Sequence, residues 1–253
     1  MRTSILKLEQ LRKKFGGVVA VDSLNLSFDN GAVTSLIGPN GAGKTTVFNL
    51  ITGFLSLTSG NISYDGRSLN HKKPHVVAAM GIGRTFQNVQ IFANMTVLEN
   101  IMVGRHLRSR CGMFISSVLP PILRKEENRI RTSAMQWLNF LGLDPYAHRP
   151  AGSLPLGNQR MLEIARALAL EPRLLLLDEP ASGLNSRETI AMGELIQKIK
   201  AMNITVILVE HDMELVMDIS DWVAVVNFGR LIAEGTPKEV QMNPDVISAY
   251  LGS

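Results

Sequence analysis

The sequence predicts a layered α/β fold built on a parallel sheet, and three observations carry that prediction. "GAVTSLIG" (31–38), "PNGAGKTT" (39–46) and "VFNLITGFL" (47–55) read as a short apolar strand, a glycine-rich turn and a helix. "RLLLLDEP" (173–180) and "ITVILVEHD" (204–212) are short continuous apolar runs, the pattern of strands covered by helices on both faces. Between them lies "SRETIAMGELIQKIKAMN" (186–203), where Met192, Leu195, Ile196 and Ile199 recur at helical spacing and Ser186 is placed to cap the start. The order strand, helix, strand requires right-handed crossovers and a sheet with helical layers.

The remaining elements follow in order. From about Asn88 to Gln159 the strand pattern fades, and stretches such as "RIRTSAMQWLNFLGL" (129–143) are helical. This predicts a mostly helical subdomain over 88–159, inserted into a core made of 1–87 and 160–253 within a single domain of 253 residues. Inside the insertion, "GMFISSVLPPIL" is apolar but short and broken by Pro120 and Pro121. It reads as a core-packed loop or helix, with a patch for a membrane partner as the functional alternative. "WVAVVNFGRLIAEG" (222–235) reads as a hairpin turning at Asn227 to Gly229.

Composition narrows the function classes. Apolar residues make up 45%, which excludes a disordered chain, and the single cysteine, Cys111, excludes an internal disulfide framework. No segment approaches the roughly 20 apolar residues needed to span a bilayer. The charged start is not a secretory signal, so the expectation is a soluble chain or one held at a membrane by partners. The net charge of +4 fits solubility, and no long Lys/Arg run or aromatic–basic alternation favours nucleic acid.

The chemistry lies in the loops. "GPNGAGKTT", comprising Gly38, Pro39, Asn40, Gly41, Ala42, Gly43, Lys44, Thr45 and Thr46, fits G-x-x-x-x-G-K-[ST]. Gly41 and Gly43 let the backbone curl around phosphates, so that several N–H groups point at one anion. Lys44 adds a cation for the β/γ-phosphates, and the Thr45 hydroxyl is placed for Mg²⁺. Asp178, ending an apolar strand, is a natural partner for the same ion. Glu179 follows and can accept a proton from an attacking water. Carboxylates at a strand end otherwise serve as capping groups, but the phosphate loop favours metal and base roles.

With these motifs in order, the chain resembles the ATP-binding subunit of an ABC transporter from end to end. The resemblance implies a P-loop NTPase of ABC type: a RecA-like core, an N-terminal β-rich part and an inserted helical subdomain. It implies ATP hydrolysis with Mg²⁺. Phe15, in "KKFGGVVAVD", lies where the family stacks an aromatic on adenine, with core packing as its bland role. Gln87, in "RTFQN", matches the glutamine that senses Mg²⁺. His211, in "VEHD", matches the histidine on the γ-phosphate. "SGLN" (182–185) matches a loop that faces the second subunit, although aspartate is usual where Asn185 stands.

The flanks "ITGFL", "GIGRTFQNVQIFANMTVLENIMVG", "LEIARAL", "LVEHDMELVM" and "NPDVISAYLG" resemble the branch that imports branched-chain amino acids. Family members pair head to tail, and one subunit's signature motif closes over the other's phosphate loop. The implied partners are a second ABC ATPase, self or paralogue, two permease subunits and indirectly a solute-binding protein. The implied place is the cytoplasmic face of the cell membrane. The signature, usually L-S-G-G-Q, reads Leu154, Pro155, Leu156, Gly157, Asn158 here. Proline is tolerated in a first helical turn, Gly157 remains for contact across the dimer, and the branch often writes L-P-Y-G. The alternatives are the same ATPase with another cargo (urea, amides or lipopolysaccharide export), a soluble ABC ATPase, or a module that holds ATP without turning it over. The joint presence of Glu179 and His211 opposes the last.

Overall fold

The computed structural model describes residues 4–105 and 120–251. The apolar stretch from Met113 to Leu123 lies outside the described residues up to position 119; a helix resumes at Pro120. The chain divides into two compact units, one of residues 1–82 with 173–253 and one of residues 83–172.

The first unit holds two sheets. Strands β1 (Ser4–Phe15) and β2 (Val18–Asp29) form a long antiparallel hairpin, extended by β4 (Ser59–Tyr64) and β5 (Arg67–Ser68) in the order β2-β1-β4-β5. The second sheet runs β10-β9-β3-β8-β7-β6. Its centre is parallel: β3 (Val33–Ile37) pairs with both β8 (Thr205–Val209) and β9 (Trp222–Asn227), and β8 pairs with β7 (Leu174–Asp178). All five residues of β3, of β7 and of β8 are buried, which is why their sequences show no apolar–polar alternation. Strand β6 (Ile82–Arg84) closes one edge of the sheet; β10 (Arg230–Gly235) closes the other, antiparallel to β9. The β9–β10 turn is Phe228–Gly229, both at positive φ (47° and 77°). Such a two-residue turn matches the right-handed twist of its strands.

Because β3, β7 and β8 are parallel, their carboxyl ends meet along one edge of the sheet, where α/β folds place ligands. The first helix, α1 (Lys44–Ile51), leaves that edge directly after the glycine-rich turn. The helix predicted between the two apolar runs is Ser186–Ala201. Its N-cap is Asn185 rather than Ser186. The Asn185 Oδ1 accepts from the N–H groups of Arg187 (3.0 Å) and Glu188 (3.1 Å), and Glu188 accepts from the Asn185 N–H in return. Ser186 lost the role because it already has helical backbone, so its hydroxyl cannot reach back to the free N–H groups.

The second unit is helical, with helices Val97–Arg105, Pro120–Phe140 and Leu156–Leu168. Ile101, Ala134, Leu138, Leu162 and Ala165 from these three helices form one buried cluster. The signature helix, Leu156–Leu168, therefore packs in this unit, and the chain returns to the first unit only at Arg173. Asn100 is fully buried there with its amide satisfied. It accepts from the Phe92 N–H at 2.9 Å and donates to the carbonyls of Phe92 and Thr96, both at 3.0 Å.

Candidate nucleotide site

The phosphate loop is shaped by left-handed glycines: Gly41 has φ 81° and Gly43 φ 101°. A Cβ on Gly43 would lie 2.5 Å from the Ala20 carbonyl oxygen, and one on Gly38 would lie 2.0 Å from that of Val226. At those two positions crowding by neighbouring strands, as well as backbone conformation, requires glycine. Lys44 is buried, and its Nζ donates to the carbonyls of Gly38 (2.6 Å) and Pro39 (3.0 Å). Burial pushes the Lys44 pKa down, while the charges of Glu179 and Asp178 oppose the shift. Thr45 follows as the second residue of α1, on the exposed side, with Thr46 half-buried.

Asp178 ends β7 and is 1% exposed. Glu179 follows in the left-handed region, at φ 51°. That conformation is uncommon for a residue with a Cβ and is typical of functional turns. Its N–H donates to the Val209 carbonyl at 2.8 Å, which turns the chain sharply off the sheet. The Glu179 Oε1 lies 2.9 Å from His211 Nε2. The pair arises from register: Asp178 stands opposite Val209 on paired parallel strands, so Glu179 and His211 emerge side by side.

Phe15 sits at the tip of the β1–β2 hairpin and is 45% exposed, not in the core, and Lys13 Nζ lies over its ring, 4.9 Å from the centroid.

Gln87 and Gly157 lie in the helical unit. Gln87 is exposed, on a loop whose backbone is gripped by the signature helix. The buried Arg160 donates to the carbonyls of Phe86 (3.3 Å) and Gln87 (2.8 Å), and the buried Glu163 accepts from the Phe86 N–H at 3.1 Å. Burial pushes the Glu163 pKa up against the pull of the Phe86 and Gln90 N–H groups and of Arg166 and Arg160. Sequence reasoning missed both residues. The available signal was a pair of opposite charges three apart on the same helix as apolar Leu162 and Ala165.

The signature helix opens at Pro155, whose carbonyl accepts the first helical bond from Gln159 at 3.0 Å. The N–H groups of Leu156, Gly157 and Asn158 precede that ladder, at the positive end of the helix dipole. Pro155 has no N–H to lose at such a position. Leu156 is 44% exposed and Gly157 is buried.

A third residue missed in sequence is Glu210, between Val209 and His211. It is 3% exposed and accepts from the N–H groups of Ala181 (2.7 Å) and His211 (2.9 Å).

A glycine loop of the phosphate-binding pattern, whose lysine feels the charge of the carboxylate in a carboxylate–histidine pair, marks a P-loop nucleoside triphosphatase. Comparison with known proteins specifies which kind. The ABC transporter family matches residues 21–182, and the family described as branched-chain amino acid ATP-binding cassette transporter matches residues 230–253. The chain belongs to the ABC transporter family and is an ATPase of its nucleotide-binding type. It is 46% identical over 253 residues to the high-affinity branched-chain amino acid transport ATP-binding protein BraF of Pseudomonas aeruginosa, covering 100% of this chain and 99% of that one. Its fold is similar to the ADP conformation of the ATP-binding cassette MJ1267 (TM-score 0.86, 34% identity), covering 99% of this chain and 100% of that one. It is also similar to a dimeric post-hydrolysis state of the cassette MJ0796 bound to ADP and Pi (TM-score 0.78, 25% identity), covering 92% and 98% respectively. Cassettes of this family work as dimers with membrane permease partners. Among the described residues no helix is long and apolar enough to cross a membrane.

The donor chemistry fits Mg²⁺. Within the first unit, Thr45 offers a hydroxyl and Asp178 a carboxylate, both hard donors. Among the described residues no three His, Cys, Asp or Glu side chains cluster as a cage. Mg²⁺ at phosphate sites takes one or two protein oxygens and completes its shell with phosphate and water.

Proposed function

We propose that this chain hydrolyses ATP to energise the import of branched-chain amino acids. It acts as a peripheral subunit on the cytoplasmic face of the cell membrane. Its partners are a second ATPase subunit, self or paralogue, and two permease subunits, with a solute-binding protein delivering cargo. The observation that carries the hydrolytic part is the Glu179–His211 contact of 2.9 Å beside the buried Lys44. Full-length similarity to a relative named for branched-chain amino acid transport supports the cargo.

In this reading Gly38 to Thr46 wrap the phosphates, Lys44 meets the β- and γ-phosphates, and Phe15 stacks on adenine. Thr45, Asp178 and Gln87 would hold Mg²⁺, directly or through water, and such an ion would supply positive charge for the phosphates. Glu179 accepts the proton of the attacking water. His211 orients Glu179 through Nε2 and faces the γ-phosphate. Gly157 of the second subunit presents backbone N–H groups to the same phosphate. The helical unit serves as the inserted subdomain of the family.

Glu179→Gln tests the chemistry: ATP binding is retained and turnover falls by about 10²- to 10⁴-fold, the typical contribution of a positioned base. Deleting this chain tests the cargo: uptake of labelled leucine is lost and unrelated solutes are spared. Intact leucine uptake with lost urea uptake would reassign the transporter.

A further inference from the structure

The nucleotide chemistry uses Glu179 and His211 and leaves Glu210 without a task. Yet Glu210 is the costlier residue to place, because it is a carboxylate nearly sealed from water at the end of an all-buried strand. Burial pushes its pKa up and the charge of Glu179 adds to that shift, whereas the N–H groups of Ala181, His211 and Asp212 pull it back. The placement is specific. Oε1 takes the Ala181 N–H at 2.7 Å and Oε2 takes the His211 N–H at 2.9 Å. Ala181 lies two residues after Glu179 and just before the "SGLN" loop, so one side chain bridges the turn that follows Glu179 to the turn that carries His211.

We propose that Glu210 is a positioning residue for hydrolysis: its two carboxylate oxygens tie the turns on either side of it together and so fix the Glu179–His211 contact. The proposal rests on the reading that this pair acts in hydrolysis. A strand-end hydrogen bond alone would not hold the pair, because Glu179 and His211 leave separate strands and each turn has its own freedom. A neutral apolar residue would leave the facing N–H groups buried and unmet. Glutamine would turn its NH₂ toward an N–H donor and lose one of the two ties.

The test uses the full chain. Glu210→Gln and, as a second variant, Glu210→Thr are compared with wild type for ATP affinity, melting temperature, and kcat and KM well below the melting temperature. The expected result is a kcat lower by roughly 10- to 100-fold, the scale of an ångström-level misplacement, with KM for ATP within about 2-fold. In a Glu179→Gln background the same substitutions are expected to add almost nothing, because the group they position is already disabled. A kcat unchanged by Glu210→Gln overturns the proposal. So does an equal loss in both backgrounds, which is the behaviour of general destabilisation. Normal turnover of Glu179→Gln alone removes the catalytic reading and this proposal together, whereas normal turnover of Glu210→Gln alone removes only the proposal.

Discussion

Replacing Lys44 with alanine separates the loop's anion binding from its contribution to the fold. The Lys44 ammonium is buried and donates to two loop carbonyls, at 2.6 Å and 3.0 Å. It also sits under the opposing charges of Asp178 and Glu179. Removing it from the ATP-free chain eliminates two charge-assisted hydrogen bonds and also the burial cost that pushes its pKa down. These effects oppose one another, so the melting temperature without nucleotide is expected to move little. With ATP no such offset exists. A hydrogen bond to a charged group is worth about 1.5–3 kcal/mol, so taking away the ammonium's bond to phosphate weakens binding by roughly one to two orders of magnitude. At an ATP concentration about 100 times the wild-type Kd, ligand stabilises the wild type by about 2.7 kcal/mol. A variant with a roughly 30-fold higher Kd gains only about 0.9 kcal/mol from the same solution. Titration with a fluorescent ATP analogue and thermal melts at that concentration measure both quantities. Unchanged affinity would refute the argument, as would a collapse of ATP-free stability as large as the weakening of binding.

Substitutions at four further positions probe the other parts. Gly157→Asp is expected to leave ATP binding to one chain intact and to block dimer closure and turnover, since a negative charge then faces the phosphate; Pro155→Ser changes ATPase activity only modestly, and a silent wild type switched on by that serine would sink the backbone reading of the signature. Asn185→Ala removes the cap of the helix Ser186–Ala201 and is expected to cost about 1 kcal/mol by urea unfolding, whereas Asn185→Asp keeps the acceptor and adds a favourable charge at the helix N-terminus. Glu163 has a folded pKa above its usual 4.5, so its protonated form favours folding; that contribution is present below the unfolded pKa and is lost as pH rises through the folded value. The stability of wild type relative to Glu163→Gln should therefore fall from acid to neutral pH, and a difference flat across that range counts against the assignment.

The phosphate loop, the Asp178–Glu179 step and His211 were legible because each is a contiguous motif at the end of an apolar run, and a parallel sheet brings such ends together without further information. What escaped depends on partners distant in sequence. Glu210 was visible as a letter in "VEHD", but its meaning requires Ala181, 29 residues earlier, to face it across the sheet edge. Arg160 and Glu163 read as ordinary helical charges until the loop at Phe86 and Gln87, more than 70 residues away, is folded against them. Asn185 and Ser186 are both good caps, and only the backbone decides which one precedes the helix. The pattern is physical. Groups that touch the ligand are selected by chemical type and appear as motifs. Groups that aim them are buried charges meeting backbone N–H groups or carbonyls, and many polar side chains can do that wherever the fold supplies the facing backbone. Glu210 shows the consequence: the sequence marks its neighbour, the histidine, while the carboxylate that accepts from that histidine's N–H becomes recognisable only from the backbone N–H groups directed at it.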